Sequence, residues 1–83
     1  MPVRAEPTPN PNAMKFTVGA PVGGPGTYSR GDEPDEPFLG ELLAIDGVTS
    51  VFLTADFVTV SKAPAGSWDE IAPEATAILE RRF

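Results

Sequence analysis

The residues of this sequence best suited to do chemistry are Lys15, Phe52, Phe57 and Thr59, together with the run Thr8-Pro9-Asn10-Pro11-Asn12. That chemistry is recognition. Aromatic side chains set among Thr and Ser suit a protein interface. Prolines at alternate positions hold a loop in a shape that loses little entropy on binding. The plainer reading of the run is a structural loop whose Asn side chains bond back to nearby amides. For the two phenylalanines the plainer reading is cross-strand packing. Catalysis is poorly served. The chain has no His and no Cys, which removes the commonest general base and leaves Ser and Thr hydroxyls without an activating partner. No Gly-rich phosphate loop precedes a helix, since Gly23-Gly24-Pro25-Gly26 leads towards a strand. The same two absences exclude thiolate and imidazole metal ligation, so a metal would need carboxylate oxygens. Asp32, Glu33, Asp35 and Glu36 are the candidates. Their spacing does not match the twelve-position calcium loop, and a solvated acidic loop is the simpler account. A weak iron or divalent-metal carrier using these carboxylates stands as the alternative to a recognition module.

Positioning those aromatics is the work of Gly47 to Lys62, GVTSVFLTADFVTVSK, which reads as two strands and a tight turn. With Leu53 opposite Val58 and Val51 opposite Val60, one face is purely aliphatic. The other face then carries Ser50, Phe52, Thr54, Phe57, Thr59 and Ser61. A slip of one residue destroys that division. The connection is Ala55-Asp56 or a loop that also takes in Thr54 and Phe57. Neither is the Asn-Gly type that two-residue hairpins prefer, which favours the longer loop. Upstream, a first strand comes in two pieces, Val3–Glu6 and Met14–Val18, separated by the proline run, which cannot form a central strand. Gly26 to Arg30, around Tyr28, can add a further strand.

Pro37 suits a first helical position, with Asp35 or Glu36 as capping acceptor. Phe38, Leu39, Leu42 and Leu43 form the apolar stripe of that helix, and Gly47 ends it in a left-handed cap. Gly40 within it points to close approach to the sheet. Ser67-Trp68-Asp69-Glu70 has capping-box spacing and opens a second helix, which Pro73 threatens to kink. The order is β-β-α-β-β-α. It predicts a two-layer α+β domain over residues 1–83, an antiparallel sheet of about four strands with two helices on one face. The expected core is Met14, Phe16, Leu39, Leu42, Val51, Leu53, Val58, Val60, Ile71, Ile78 and Leu79. Lys15 and Lys62 flank the aromatic patch as rim charges or are simply solvated.

Twelve acidic and six basic side chains give a formal charge of −6. Nucleic acid and anionic membrane surfaces are unsuitable partners on electrostatic grounds. The opening MPVRAEPTPNPNA has no apolar run of the signal-peptide type, and no segment has the apolar length of a membrane span. A cytoplasmic protein, monomer or weak dimer, is the expectation. A domain of this size buries only about 60–65% of its unfolded surface, so its stability margin is small.

Two separated stretches carry a family resemblance. Glu6 to Phe16, EPTPNPNAMKF, resembles the opening motif of the amino-terminal domain of Nfu/NifU-type iron–sulfur cluster scaffold proteins, which typically reads TPNPNALKF. Met14 replaces the leucine. Ile45 to Val48 and Val51 to Lys62 resemble the helix end and hairpin of that domain, and Trp68, Ile71 and Pro73 fall where its last helix has them. The resemblance implies the α+β fold and a non-enzymatic role in iron–sulfur cluster assembly or delivery. It implies a scaffold or apo-client protein as partner; the residues expected to dock it, Phe52, Phe57, Thr59, Lys15 and the Thr8–Asn12 loop, come from the reading of the hairpin and the proline run and not from the resemblance. In full-length members a second domain with a Cys-x-x-Cys pair holds the cluster. These 83 residues contain no cysteine, so the cluster is expected on the partner only and no cofactor is expected on this chain.

Overall fold

The computed structural model describes residues 3–32, Pro34 and residues 36–83. Its centre is the hairpin of β4 (Val48–Thr54) and β5 (Phe57–Lys62). Leu53 pairs with Val58 and Val51 with Val60, the register the aliphatic pattern demands. Val51, Leu53, Val58 and Val60 are all buried. Thr54 pairs with Phe57, so the turn is the two residues Ala55-Asp56 and not the longer loop. The short turn places Ala55 at φ +51°, in the left-handed region that a Cβ disfavours. A second segment holds it there. The Ala55 carbonyl accepts from the Val22 N–H, and the Asp56 carbonyl accepts from the Val18 N–H.

Two further strands, β1 (Arg4–Pro7) and β2 (Ala13–Thr17), are antiparallel neighbours and not two pieces of one strand. The proline run between them reverses the chain. With β3 (Gly26–Ser29) the sheet has five antiparallel strands in the order β1-β2-β5-β4-β3, one more than the sequence suggested. Local side chains make that reversal. The Thr8 hydroxyl lies 2.9 Å from the carbonyls of Asn10 and Ala13 and accepts from the Asn10 N–H, while Asn10 Oδ1 accepts from the Asn12 N–H. Prolines supply the rest by fixing φ where no ladder donor is needed.

Helices α1 (Pro37–Ala44) and α2 (Trp68–Arg82) cover one face of the sheet. They bury Phe38, Leu39, Leu42 and Leu43 from α1, and Ile71, Ala75, Ile78 and Leu79 from α2. These pack on Phe16, Val18 and the hairpin aliphatics; Val48 and Ile45 complete the core, whereas Met14 is only half-buried at its edge. Phe83 meets Phe38 edge-on at 5.3 Å between ring centroids and ties the end of α2 to α1.

Several local devices differ from expectation. Helix α1 stops at Ala44, because Ile45 is extended at ψ 131° to drop its side chain into the core. Gly47, at φ +96°, therefore shapes the turn into β4 and is not the helix cap; a Cβ there would lie 3.2 Å from Ile71 Cδ1. A Cβ added at Gly40 would meet nothing of the neighbouring elements within 4 Å, so no close approach to the sheet requires this glycine. Glu36 makes no side-chain cap bond and pairs instead with Arg82, 3.4 Å away; Asp35 lies outside the described residues. At α2 the capping box is not formed: the Ser67 carbonyl, not its hydroxyl, accepts from the N–H groups of Glu70 and Ile71. Helix α2 runs unbroken through Pro73 on its exposed side. The carbonyl that Pro73 leaves unbonded belongs to exposed Asp69, where water can satisfy it.

Candidate interaction face

The sheet face away from the helices is built by strand alternation alone. Every residue that alternates with a buried aliphatic points to this side. Registers across the sheet line these residues into rows. One row runs Glu6–Lys15–Thr59–Phe52–Thr27, and the next runs Arg4–Thr17–Phe57–Thr54. Lys15, Phe52, Phe57 and Thr59 are thus brought together in two adjacent rows. Phe52 and Phe57 are diagonal neighbours on the hairpin, a relation that spaces residues about 7–8 Å apart.

Phe52 is 38% exposed and is the exposed large hydrophobic residue among those described. Phe57 is half-buried, and Lys15 explains why. Its ammonium stands 4.5 Å from the Phe57 ring centroid, a cation over an aromatic face. Around the pair lie hydroxyls: Thr17 and Thr54 beside Phe57, Thr27 and Thr59 beside Phe52. The Thr17 hydroxyl donates to Glu6 Oε1 at 3.3 Å. An apolar centre, a cation and a hydroxyl rim can bind a protein surface.

The Thr8–Asn12 loop is elsewhere. It emerges where Ala13 pairs with Ser61, whereas Phe57 pairs with Thr17, four residues further along β2. At the rise of a strand this separates loop and Phe57 by about 14 Å. Pro9, Asn10 and Pro11 are exposed and Thr8 and Asn12 half-buried. The loop is pinned from outside as well as within. Trp68 Nε1–H donates to the Pro11 carbonyl at 3.0 Å, and Lys62 Nζ donates to Asn12 Oδ1 at 3.0 Å while lying 5.9 Å from the Trp68 ring centroid. Lys62 therefore serves the loop and does not flank the aromatic patch. Sequence reading missed this role of Lys62 and Trp68. The one available signal was an indole at a helix start, where its N–H needs an acceptor.

In the acidic segment, Asp32 Oδ2 accepts from the Ser29 N–H at 2.7 Å and Glu36 faces Arg82. Glu33 and Asp35 lie outside the described residues. Among the described residues, no three carboxylates come together as a metal site would require, and no helix is long and apolar enough to cross a membrane.

Known proteins share this architecture. The family described as "Scaffold protein Nfu/NifU N terminal" matches residues 3–83. Conserved virulence factor C of Staphylococcus aureus (strain MRSA252) is 39% identical over 77 residues, which is 90% of this chain and 21% of that protein. The protein of the same name from Staphylococcus haemolyticus is 37% identical over 79 residues, 93% of this chain and again 21% of the relative. The chain thus spans about a fifth of the length of the curated relatives it matches. Among solved structures, protein SAV1430 from Staphylococcus aureus superposes with a TM-score of 0.82 at 31% identity, covering 94% of this chain and 98% of that one. A NifU-like protein from Saccharomyces cerevisiae gives a TM-score of 0.64 at 27% identity over 95% of this chain and 75% of its own.

Proposed function

This chain belongs to the family of Nfu/NifU scaffold-protein N-terminal domains, and on that premise we propose that it is a docking domain for iron–sulfur cluster assembly or delivery. It binds a scaffold or an apo-client protein and positions it. The cluster stays on the partner, since these 83 residues offer neither thiolate nor imidazole. The domain performs no bond chemistry itself. It works in the cytoplasm as a monomer or weak dimer.

The observation that carries this reading is the uncovered sheet face, where exposed Phe52 adjoins Phe57 under its Lys15 lid. An anchor of this kind, once desolvated by a partner, typically supplies most of the binding energy of an interface. Lys15 can swing off Phe57 to meet a carboxylate, which uncovers a second aromatic at the same moment. The Thr8–Asn12 loop lies at the rim. The molecule measures 30 × 26 × 21 Å, so a partner covering a standard footprint of about 800 Å² reaches both.

Phe52→Asp tests the proposal. The side chain is exposed, so thermal unfolding should shift little, while affinity for a cysteine-bearing scaffold should fall by about tenfold or more. Unchanged binding refutes the face. Phe57→Asp should weaken binding too, at some cost to stability, because half-buried Phe57 packs under Lys15. Anaerobic calorimetry with ferrous iron serves as the control. A stoichiometric site tighter than about micromolar would replace docking by carboxylate-based metal carriage.

A further inference from the structure

The helix layer carries a second surface of different chemistry. Between α1 and α2 lies an open cleft of about 420 Å³. Ile45 and Ile78, each less than a tenth exposed, form its floor. Ala44 and Ala77 line it as exposed small residues, where longer side chains would close it. Glu41, Glu74 and Arg81 form its rim, and a 3.3 Å ion pair between Arg81 and Glu41 crosses it. Both partners are more than half exposed, at 69% and 53%, so water or a competing charge exchanges this pair easily.

Charge is divided unequally between the two layers. The two central rows of the open sheet face hold Arg4 and Lys15 against Glu6. The helices and the turn after α1 hold Glu41, Asp46, Asp69, Glu70, Glu74 and Glu80 against Arg81 and Arg82. The carboxylates are also ordered. Glu70, Glu74, Ala77, Ile78 and Arg81 fall on one line of α2 at helical spacing. That line is about 16 Å long, or three helical turns. At its far end Asp46 joins Glu70 around a neighbouring hollow.

We propose that this cleft docks a basic amphipathic helix of a partner protein. Its apolar side chains settle over Ile45 and Ile78 between the two alanines, in the helix-in-groove manner. Its Lys or Arg residues, spaced one turn apart, meet Glu70, Glu74 and Glu41, the last leaving Arg81. The acidic rim sets the sign of the partner and speeds encounter, while the apolar floor sets its shape. The cleft lies on the opposite layer from the aromatic sheet face, so both surfaces can be occupied together, and either can fail without the other.

The test is an amide NMR titration of the labelled 83-residue chain with three synthetic peptides of about 15 residues, long enough to form a helix on binding. The first is a Leu/Lys amphipathic helix. The second has its composition in scrambled order, and the third has Glu in place of Lys. The first peptide should give saturable shifts at Ala44, Ile45, Ala77 and Ile78. The scrambled peptide should bind about tenfold or more weakly, and the Glu peptide not at all. Glu74→Lys and Ala77→Arg, both at exposed positions of α2, should reduce binding of the first peptide by a similar factor while the spectrum stays folded. Equal binding of the scrambled peptide, shifts confined to the sheet, or no shift at millimolar peptide would each overturn the proposal.

Discussion

Trp68 fixes the Thr8–Asn12 loop with a single indole. Its N–H holds the Pro11 carbonyl, and its ring faces the Lys62 ammonium that holds Asn12. Trp68→Phe keeps the ring and removes the donor. It should lower unfolding free energy by about 1 kcal/mol, the net value of one hydrogen bond, as read by urea denaturation. Amide exchange should quicken in Asn10 to Ala13, and binding at Phe52 should be untouched. At this scale the sequence was legible in part. Alternation alone put Phe52, Phe57, Thr59 and Lys15 on one face, because a strand leaves no freedom in that choice. The Trp68–Pro11 and Lys62–Asn12 bonds were not legible, because 57 and 50 residues separate the partners and no local pattern encodes them. Nor did spacing reveal that Lys15 lies over Phe57, a diagonal contact that depends on how β2 registers on β5.

The hairpin shows what element-level patterns determine. Its register followed from four aliphatic residues, because a slip of one residue buries a Thr or exposes a Val and a larger slip leaves an aliphatic side chain without its aliphatic partner. Its turn did not follow. Ala55 adopts an unfavourable φ of +51° because the Val18–Val22 segment bonds the turn carbonyls, and that support is tertiary. Ala55→Gly should therefore stabilise the domain by about 0.5–1 kcal/mol, as relief of the left-handed strain outweighs the extra entropy of the unfolded chain. A fall in melting temperature would contradict this. The proline run misled strand counting for a similar reason. Prolines mark an end to a strand, but the Thr8 and Asn10 bonds that turn the chain back on itself are a matter of side-chain geometry. In α2, the capping-box spelling of Ser67 and Glu70 went unused, and apolar burial carries the helix. Leu79 is fully buried against the sheet layer. Leu79→Ala should cost about 2–5 kcal/mol, comparable with the few kcal/mol available to a core of this size. Circular dichroism should find that variant largely unfolded or melting far below the parent.

At the scale of the whole molecule, two layers of one small domain present opposite surfaces. The sheet offers aromatics, hydroxyls and Lys15; the helices offer a cleft with an acidic rim. The fold class and the helix-covered face were readable from element order, since two amphipathic helices and an alternating sheet have few ways to share one core. The division of charge was not readable from a net charge of −6, because it depends on which side of each helix faces out. The proposed docking role makes this division useful: a partner is held on the sheet side while the helix layer remains free. The most direct test is an amide NMR titration of the labelled domain with a cysteine-bearing cluster scaffold, in apo and cluster-loaded forms. The predicted result is a saturable footprint centred on Lys15, Phe52, Phe57 and Thr59, with the Thr8–Asn12 loop at its margin, abolished by Phe52→Asp. A footprint confined to α1 and α2, or no shifts at high concentration of either form, would contradict docking through the sheet.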